Sequence, residues 1–232
     1  MMCTVTYIPQ KEGWMLTNNR DETPLRASYH LMKKETGGSG LLYPPDEKGG
    51  TWIAMSTPGR VICLLNGAFI KHAHRPPYRF SRGIIVLAAA RAQNKAEFVE
   101  NINLEGVEPF TLVWKDDITF FQVVWDGKES HIQNLNPAQN YIWSSSTLYT
   151  DEQKDRRIKF FQIFISKETL MPTKLREFHL SRPFGEASTD FQMERPGVKT
   201  IAVTQVLRAR DSFTMEYLNL MDGSTLVSEL SS

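Results

Sequence analysis

The sequence predicts an α+β fold, built as a layered sandwich of antiparallel sheets and helices. Segments rich in β-branched and aromatic residues come in runs toward both ends of the 232-residue chain, and helix-like segments are grouped between them. That order favours antiparallel sheets covered by helices over a doubly wound parallel sheet, in which strands and helices alternate. No composition shift or long linker divides the chain, so we expect one domain over residues 1–232.

The expected strands share dense β-branched and aromatic residues or an alternation of apolar and polar positions. They are Cys3–Ile8, Gly13–Asn18, Thr51–Ser56, Val61–Leu65, Phe110–Trp114, Ile118–Trp125, Ser130–Gln133, Thr200–Val206 and Ser212–Leu218. The expected loops instead cluster Gly, Pro and polar residues. They are Thr36–Gly40, Pro44–Pro45, His72–Tyr78 and Ser181–Gly197.

Helices are fewer. Ser81 is expected to cap a helix that runs to Arg91, followed by another turn or two over Lys95–Ile102. Thr150, with Gln153 three residues later, has the pattern of a capping box, in which the two residues satisfy each other's backbone N–H groups. The apolar positions that follow it share one helical face: Ile158, Phe161 and Ile165.

The charge balance and the apolar pattern exclude several classes of protein. Lys and Arg number 27 against 26 Asp and Glu, which leaves no basic excess for a phosphate backbone. The longest apolar run, Ile84–Ala90, is far shorter than the roughly 20 residues of a membrane helix. The first residues lack the basic region of a secretory signal, and Cys3 and Cys63 are expected to be thiols. We therefore expect a soluble, cytoplasmic protein with no nucleic-acid partner and no integral membrane segment, whose oligomeric state the sequence leaves open.

The first hairpin brings reactive residue types together. If it is symmetric about Lys11, Cys3 lies opposite Asn19, and Arg20 and Asp21 emerge at the same open end. A guanidinium favours thiolate over thiol and lowers a cysteine pKa from about 8.5, and a carboxylate can orient the guanidinium or an amine. From residue types alone, the ordinary alternative is a small buried cysteine followed by a solvated turn.

The start of the chain bears on the identity of the general base. If Cys3 becomes the first residue of the mature chain, its own α-amino group, with a reference pKa of about 7.7–8.0, can take the thiol proton. Removal of an initiator Met requires a small second residue, and Met2 is large. We expect the chain as written to keep Met1, whereas translation from Met2 would make Cys3 second and that Met removable.

Three sequence blocks, in order along the chain, resemble the NRDE family, whose members are also called transport and Golgi organisation protein 2 homologues. The first is Asn19–Glu22, with a Cys near the chain start before it; the second is Gly49–Ala54, followed by Leu64–Gly67; the third is Ser81–Gly83. Pro109–Leu112 resembles a fourth family block only weakly, so the strong resemblance runs from Cys3 to about Gly83.

The resemblance implies an N-terminal-nucleophile hydrolase-like fold, a four-layer α-β-β-α sandwich, distantly similar to the cysteine amidases that include bile salt hydrolase and penicillin V acylase. It implies Cys3 as nucleophile, Arg20 as its cationic neighbour, Asp21 as the residue orienting the α-amine and Asn66 as an oxyanion-hole donor. The reaction would be hydrolysis of a carbon–nitrogen amide bond of a small molecule through an acyl-thioester, without a cofactor. The substrate pocket is expected to include these residues: Asn19, Glu22, Trp52 and Ser145.

Two positions depart from the amidase pattern. Ser145 stands where relatives tend to carry an Asn, and a hydroxyl is a shorter, less directional donor than an amide. The late-chain Arg of the amidases has no firm match, with Arg195 and Arg208 both open.

Two other functions stay open. The family has been linked to haem trafficking, so a non-catalytic haem carrier using the same pocket is the alternative, and an interaction protein that has lost the chemistry is the third. His72 and His74 could share one face of a strand, but their Pro- and Arg-rich surroundings indicate a surface loop, and we expect no metal site.

Overall fold

Fourteen strands and four α-helices are present in the computed structural model, which describes residues 4–36 and 39–230. The strands are β1 (Thr4–Gln10), β2 (Gly13–Glu22), β3 (Met32–Thr36), β4 (Ser39–Tyr43), β5 (Ile53–Ser56), β6 (Arg60–Asn66), β7 (Phe110–Lys115), β8 (Phe120–Trp125), β9 (Ser130–Asn134), β10 (Tyr141–Ser144), β11 (Glu194–Arg195), β12 (Val198–Arg208), β13 (Phe213–Asn219) and β14 (Thr225–Glu229). The helices are α1 (Arg82–Arg91), α2 (Lys95–Asn101), α3 (Asp151–Lys167) and α4 (Pro172–His179).

The strands form two antiparallel sheets of seven strands each. Sheet A has the order β10-β1-β2-β12-β13-β14, with β11 beside β12, and so joins strands from both ends of the chain. Sheet B is a continuous meander, β3 to β9 in chain order. Short turns join most of these neighbours, as antiparallel pairing allows, but β6 and β7 are joined by residues 67–109, which include α1 and α2.

The two sheets stack face to face and helices cover their outer faces. Alternation along β13 turns Phe213, Met215 and Tyr217 into the core between the sheets, where they meet residues of sheet B such as Ile53 and Val61. Helix α1 packs on β5 and β6, α4 packs on β2 and β12, and α3 contacts β10. The result is the α-β-β-α sandwich that the resemblance implied, and the α+β prediction is confirmed.

The first hairpin forms, but its predicted register is wrong by one residue. Gln10 pairs with Gly13 across a two-residue turn, so Thr4 rather than Cys3 lies opposite Asn19. Cys3 lies outside the described residues. Strand β2 also continues to Glu22, because β12 pairs along its other edge, so Arg20 and Asp21 belong to a buried central strand and not to a solvated turn.

Among the remaining predictions, those that rest on a helix-capping motif are confirmed, whereas several elements without such a local motif were missed. Ser81 caps α1, and Thr150 and Gln153 form the expected capping box at α3. The predicted loop over Thr36–Gly40 is wrong at its ends, because β3 and β4 pair up to Thr36 and Ser39, while residues 37 and 38 lie outside the described range. Five strands and one α-helix were missed, being short, at a sheet edge or held by tertiary contacts: β3, β4, β10, β11, β14 and α4. Among the helices of the described residues, none is long and apolar enough to span a membrane.

Candidate functional site

A cavity of about 700 Å³ opens at one end of the sandwich. Its walls come from the end of β2 and the turn after it, the loop before β5, the end of β6, the stretch from residue 71 to the first turn of α1, and the loop before β7. Charged residues from these segments line it, five of them basic and three acidic: Arg20, Arg26, Lys48, Lys71, Arg82, Glu22, Asp46 and Glu108. The excess of basic groups, together with the N-terminus of α1, gives the cavity a positive potential.

Arg20 lies in the wall of this cavity and is only 2% exposed. Its guanidinium lies over the Trp52 ring, 3.7 Å from the ring centroid, and Nη2 donates to Asp46 Oδ2 at 2.5 Å. Nη1 is buried without a hydrogen-bond partner among the described residues. Burial lowers the pKa of Arg20 and Asp46 opposes that shift, so the group stays a cation, as arginine does in proteins. The N–H groups of Arg20 Nη1 can therefore donate to a negatively charged atom placed beside them.

Asp46 holds two arginines at once. Arg26 Nη2 donates to both Asp46 oxygens at 2.7 and 2.6 Å, and Arg26 Nη1 donates to Glu22 Oε2 at 2.5 Å. Although burial acts to raise it, the pKa of Asp46 is lowered by the hydrogen bond from Arg26, by the backbone N–H of Lys48 and by the charges of both arginines. The carboxylate therefore stays ionised and fixes the orientation of the Arg20 fork.

Asn66 is the last residue of β6 and borders the same cavity. Its backbone carbonyl accepts a hydrogen bond from Ser145 Oγ at 2.7 Å, and the next residue, Gly67, turns the chain at a φ of +85°. No hydrogen bond occupies the Asn66 side-chain amide within the described residues, and the residue is 8% exposed. The backbone of Asn66 is therefore fixed at the cavity wall, and its side-chain amide is not committed to another group of the described chain.

The other predicted site residues do not all converge there. Glu22 and Trp52 line the cavity together with Arg20 and Asn66, whereas Asn19 and Asp21 point to the opposite face of β2, as its two-residue period requires. Thr200 Oγ1 donates to Asp21 Oδ1 at 2.6 Å.

Asn19 belongs to a buried network with α4. Its Nδ2 donates to the carbonyls of His179 at 2.9 Å and Phe191 at 2.8 Å, while its Oδ1 accepts from His179 Nδ1 at 2.5 Å. The Thr6 hydroxyl completes the network at His179 Nε2, at 2.7 Å. Burial, and then the charge of Arg157, lower the pKa of His179 to about 3, so the imidazole is neutral.

The start of β1 is fixed by a residue that the sequence analysis did not single out, Arg157. Thr4, the first described residue, pairs with Asn19 on one side and Ser144 on the other. Arg157 on α3 is fully buried and donates to the Thr4 hydroxyl and to Ser144 Oγ, the latter at 3.1 Å. Its other hydrogen bonds go to the carbonyls of residues 189 and 190, in the loop before β11. Contacts over such sequence distances leave no local signal.

A second, smaller cavity of about 220 Å³ shares Asn66 with the first. Its walls come from the end of β6 and the turn after it, from β7 and β8, and from β10 and α3. Ser145 lines this smaller cavity.

His72, His74 and Arg82 converge on Glu108 at the rim of the large cavity. His72 Nε2 and His74 Nδ1 lie 3.1 and 3.3 Å from Glu108 Oε1, and Arg82 Nη2 lies 2.9 Å from Oε2. Burial acts to raise the pKa of Glu108, but Arg82 and the two imidazoles lower it. Over residues 4–36 and 39–230, no group of three or more His, Cys, Asp or Glu could hold a metal ion.

The two open candidates for a late-chain arginine lie elsewhere. Arg195 donates to the carbonyl of Ser188, and Arg208 pairs with Asp117 at 3.0 Å. Neither lines the two cavities that meet at Asn66. Cys63 is fully buried in the core between the sheets, where burial raises its pKa, so it is not a candidate nucleophile.

Comparison with known proteins gives a family and a fold. The family model described as Transport and Golgi organisation 2 matches residues 2–219. The fold is similar to that of penicillin V acylase from Agrobacterium tumefaciens, at a TM-score of 0.58 and 13% identity, covering 98% of this chain and 86% of that one. It is also similar to two variants of conjugated bile acid hydrolase from Clostridium perfringens, both at 10% identity and covering 92% of those chains. One has a TM-score of 0.56 over 98% of this chain and the other 0.53 over 99%. No curated protein sequence matches.

Proposed function

The chain belongs to the Transport and Golgi organisation 2 family, and we propose that it hydrolyses a carbon–nitrogen amide bond with Cys3 as the nucleophile. The observation that carries this proposal is the Arg20 guanidinium, buried in the cavity wall with Nη1 unpartnered within the described chain. Arg20 follows Asn19, which pairs with Thr4, the residue after Cys3. A fixed cation at this position favours the thiolate that such a nucleophile requires.

The proposed reaction uses two covalent steps. The Cys3 thiolate attacks the carbonyl carbon, and the Asn66 amide donates to the resulting oxyanion. Collapse of this intermediate breaks the carbon–nitrogen bond, and the amine leaves with the proton that the general base took from the thiol. Water then adds to the acyl-thioester, releasing a carboxylic acid and restoring the thiol. The base would be the α-amine of Cys3, if processing exposes it.

Haem binding without catalysis is a second candidate, favoured by His74 at the cavity rim. This side chain is 69% exposed, and its Nδ1 lies 3.3 Å from Glu108 Oε1, which leaves Nε2 directed away from that contact. A histidine that ligates a metal commonly binds a carboxylate through its other ring nitrogen. Lys48 and Lys71 in the same cavity fit the carboxylates of a haem.

The amidase proposal is tested by the chain terminus and by turnover together. Intact-mass and N-terminal analysis of protein made from its native gene should find Cys3 as the first residue. That protein should cleave members of a panel of N-acyl amides, Cys3→Ala should abolish cleavage, and Cys63→Ala should retain it. A chain that keeps Met1, with no member of the panel cleaved, contradicts the proposal.

Titration with haem separates the second candidate from the first. A shift of the Soret band at micromolar haem that survives Cys3→Ala and disappears in His74→Ala supports the carrier. If the shift is absent, or is the same in His74→Ala as in the unmodified chain, His74 is not the ligand.

A further inference from the structure

We propose that the smaller cavity is the acyl subsite, which receives an uncharged chain of limited length, and that the larger cavity receives the amine portion. This rests on the proposed hydrolase function. Asn66 lies in the walls of both cavities. If its side chain holds the carbonyl of an amide substrate, the two arms of the substrate, its acyl portion and its amine portion, extend into different cavities.

Apart from the Asn66 amide, several polar groups around the smaller cavity already have hydrogen-bond partners in the protein. Trp143 Nε1 donates to Gln122 Oε1 at 2.8 Å, and Thr111 Oγ1 donates to the Gly67 carbonyl at 3.1 Å. The Ser145 hydroxyl donates to the Asn66 carbonyl. A polar ligand would have to break these bonds, whereas an apolar chain leaves them intact.

The charge in the smaller cavity is also neutralised. Lys154 is its one ionisable lining residue among those described, and its Nζ is 2.9 Å from Asp151 Oδ1. The rest of the surface is partly apolar and comes from these residues: Leu65, Phe69, Val124, Ile142 and Ile158. An uncharged, apolar arm therefore fits this cavity better than a charged one.

The order in which the two products leave indicates which cavity receives which arm of the substrate. The amine departs first, while the acyl group is still bonded to the nucleophile. The larger cavity is about three times the volume of the smaller one and is lined by charged groups that suit a polar leaving group. The smaller cavity can hold the acyl chain while water attacks the thioester.

The volume sets the length of the chain. A dry protein cavity of about 150 Å³ holds benzene, so 220 Å³ corresponds to roughly six to nine carbon atoms. Until the cavity is filled, each added methylene should tighten binding about fourfold. Longer chains should gain little.

N-alkanoylserines from acetyl to dodecanoyl test this assignment. Their affinity for the full-length Cys3→Ala chain is measured by calorimetry, and their turnover is measured with the unmodified chain. We expect affinity to rise about fourfold per methylene and to level off at roughly six to nine acyl carbons.

Two variants of Val124, which lines the smaller cavity, should move that limit in opposite directions. Val124→Phe should shift the plateau to shorter chains, and Val124→Ala should shift it to longer ones. Phe80→Leu, in the larger cavity, should leave its position unchanged. The alanine variant keeps the test available if the phenylalanine variant fails to fold.

The two proposals fail in different ways. A plateau that moves with Val124 in the binding series, without turnover by the unmodified chain, supports the acyl subsite and contradicts the hydrolase. Turnover with no chain-length limit, or with a limit that both Val124 variants leave in place, overturns the subsite and leaves the hydrolase standing.

Discussion

The guanidinium of Arg20 lies over the ring of Trp52, with its central carbon 3.7 Å from the ring centroid. Arg20 comes from β2 in sheet A, whereas Trp52 directly precedes β5 in sheet B. The contact therefore joins the two sheets at the cavity wall. A planar cation on an aromatic face is favourable, and Asp46 fixes the plane of the guanidinium from the side.

Replacing Arg20 by Gln should slow alkylation of Cys3. Loss of the cation raises the thiol pKa by about one unit, which lowers the thiolate fraction and the iodoacetamide rate near pH 7 roughly tenfold. Arg20→Lys keeps the charge but not the planar guanidinium, so its alkylation rate should lie between those of the unmodified chain and Arg20→Gln. Peptide mapping after timed labelling measures the rate at Cys3 separately from buried Cys63. An unchanged rate in Arg20→Gln would show that this cation does not activate the thiol.

Asn66→Asp should remove catalysis while preserving shape. A carboxylate repels the oxyanion that an amide would stabilise, so kcat should fall by about 10²–10³ with little change in KM. Ser145→Ala removes the hydrogen bonds to the Asn66 carbonyl and to the Thr147 hydroxyl but leaves the Asn66 amide in place, so its loss in kcat should be smaller. Steady-state kinetics on any amide cleaved by the unmodified chain makes the comparison. Equal losses in both variants would argue against a direct role for the Asn66 amide.

Gly67→Ala and Gly223→Ala form a matched pair, because their φ angles are +85° and +75°. A methyl group at Gly223 meets nothing within 4 Å, whereas at Gly67 it would lie 2.2 Å from Ser146 Oγ. We expect Gly223→Ala to lower the free energy of unfolding by about 1–2 kcal/mol. Gly67→Ala should lose a further 1–3 kcal/mol, roughly, from overpacking. Urea unfolding measures both, and equal losses would refute the close contact.

His179 should make the fold sensitive to acid. Its pKa is about 3 in the folded protein and about 6.5 in the unfolded chain, so between these values only the unfolded chain binds the proton. Stability is fully present above pH 6.5 and falls toward pH 3 by up to about 1.4 kcal/mol per pH unit. His179→Gln should give a shallower loss between pH 6.5 and 4.5 in urea titrations. Parallel curves for the two proteins would contradict the assignment.

Thr150→Ala should weaken the start of α3. The change removes the hydroxyl that accepts from Gln153 N, and it should lower the free energy of unfolding by about 1 kcal/mol. Thr150→Ser keeps an oxygen at the same position and should retain most of that stability. Denaturant unfolding of the three proteins measures these differences. Equal free energies of unfolding would show that the Thr150 cap does not stabilise the fold.

Local signals in the sequence predicted the architecture and part of the candidate site. Strand composition and the two helix caps were sufficient for the layers, and Arg20, Trp52 and Asn66 do meet at one cavity. The hairpin register was missed because the prediction centred the turn on Lys11, whereas the turn has two residues and shifts the pairing by one. Side chains alternate between the two faces of a strand, so a shift of one residue changes which side chains share a face. Period 2 along β2 would have separated Arg20 from Asp21 had the strand been extended to Glu22.

The rest of the site depends on contacts without a local signature. Asp46 meets Arg20 across 26 positions, His179 meets Asn19 across 160, and Arg157 meets Thr4 across 153. A single sequence contains no record of which distant polar residues pair. These buried contacts could therefore not be predicted from the sequence and are seen only in the folded structure.

The order of strands in sheet A has a consequence for biosynthesis. β2, which carries Arg20, gains its second neighbour only when β12 arrives, with Ala202 beside Arg20. On the ribosome, sheet B can form by pairing each strand with the one before it as the chain emerges. The hairpin of β1 and β2 can also form early, but it gains its outer neighbours only when β10 and β12 have been made. The cavity wall would thus be among the last parts to be completed, and a nascent chain halted before β12 would have its B meander without a working pocket.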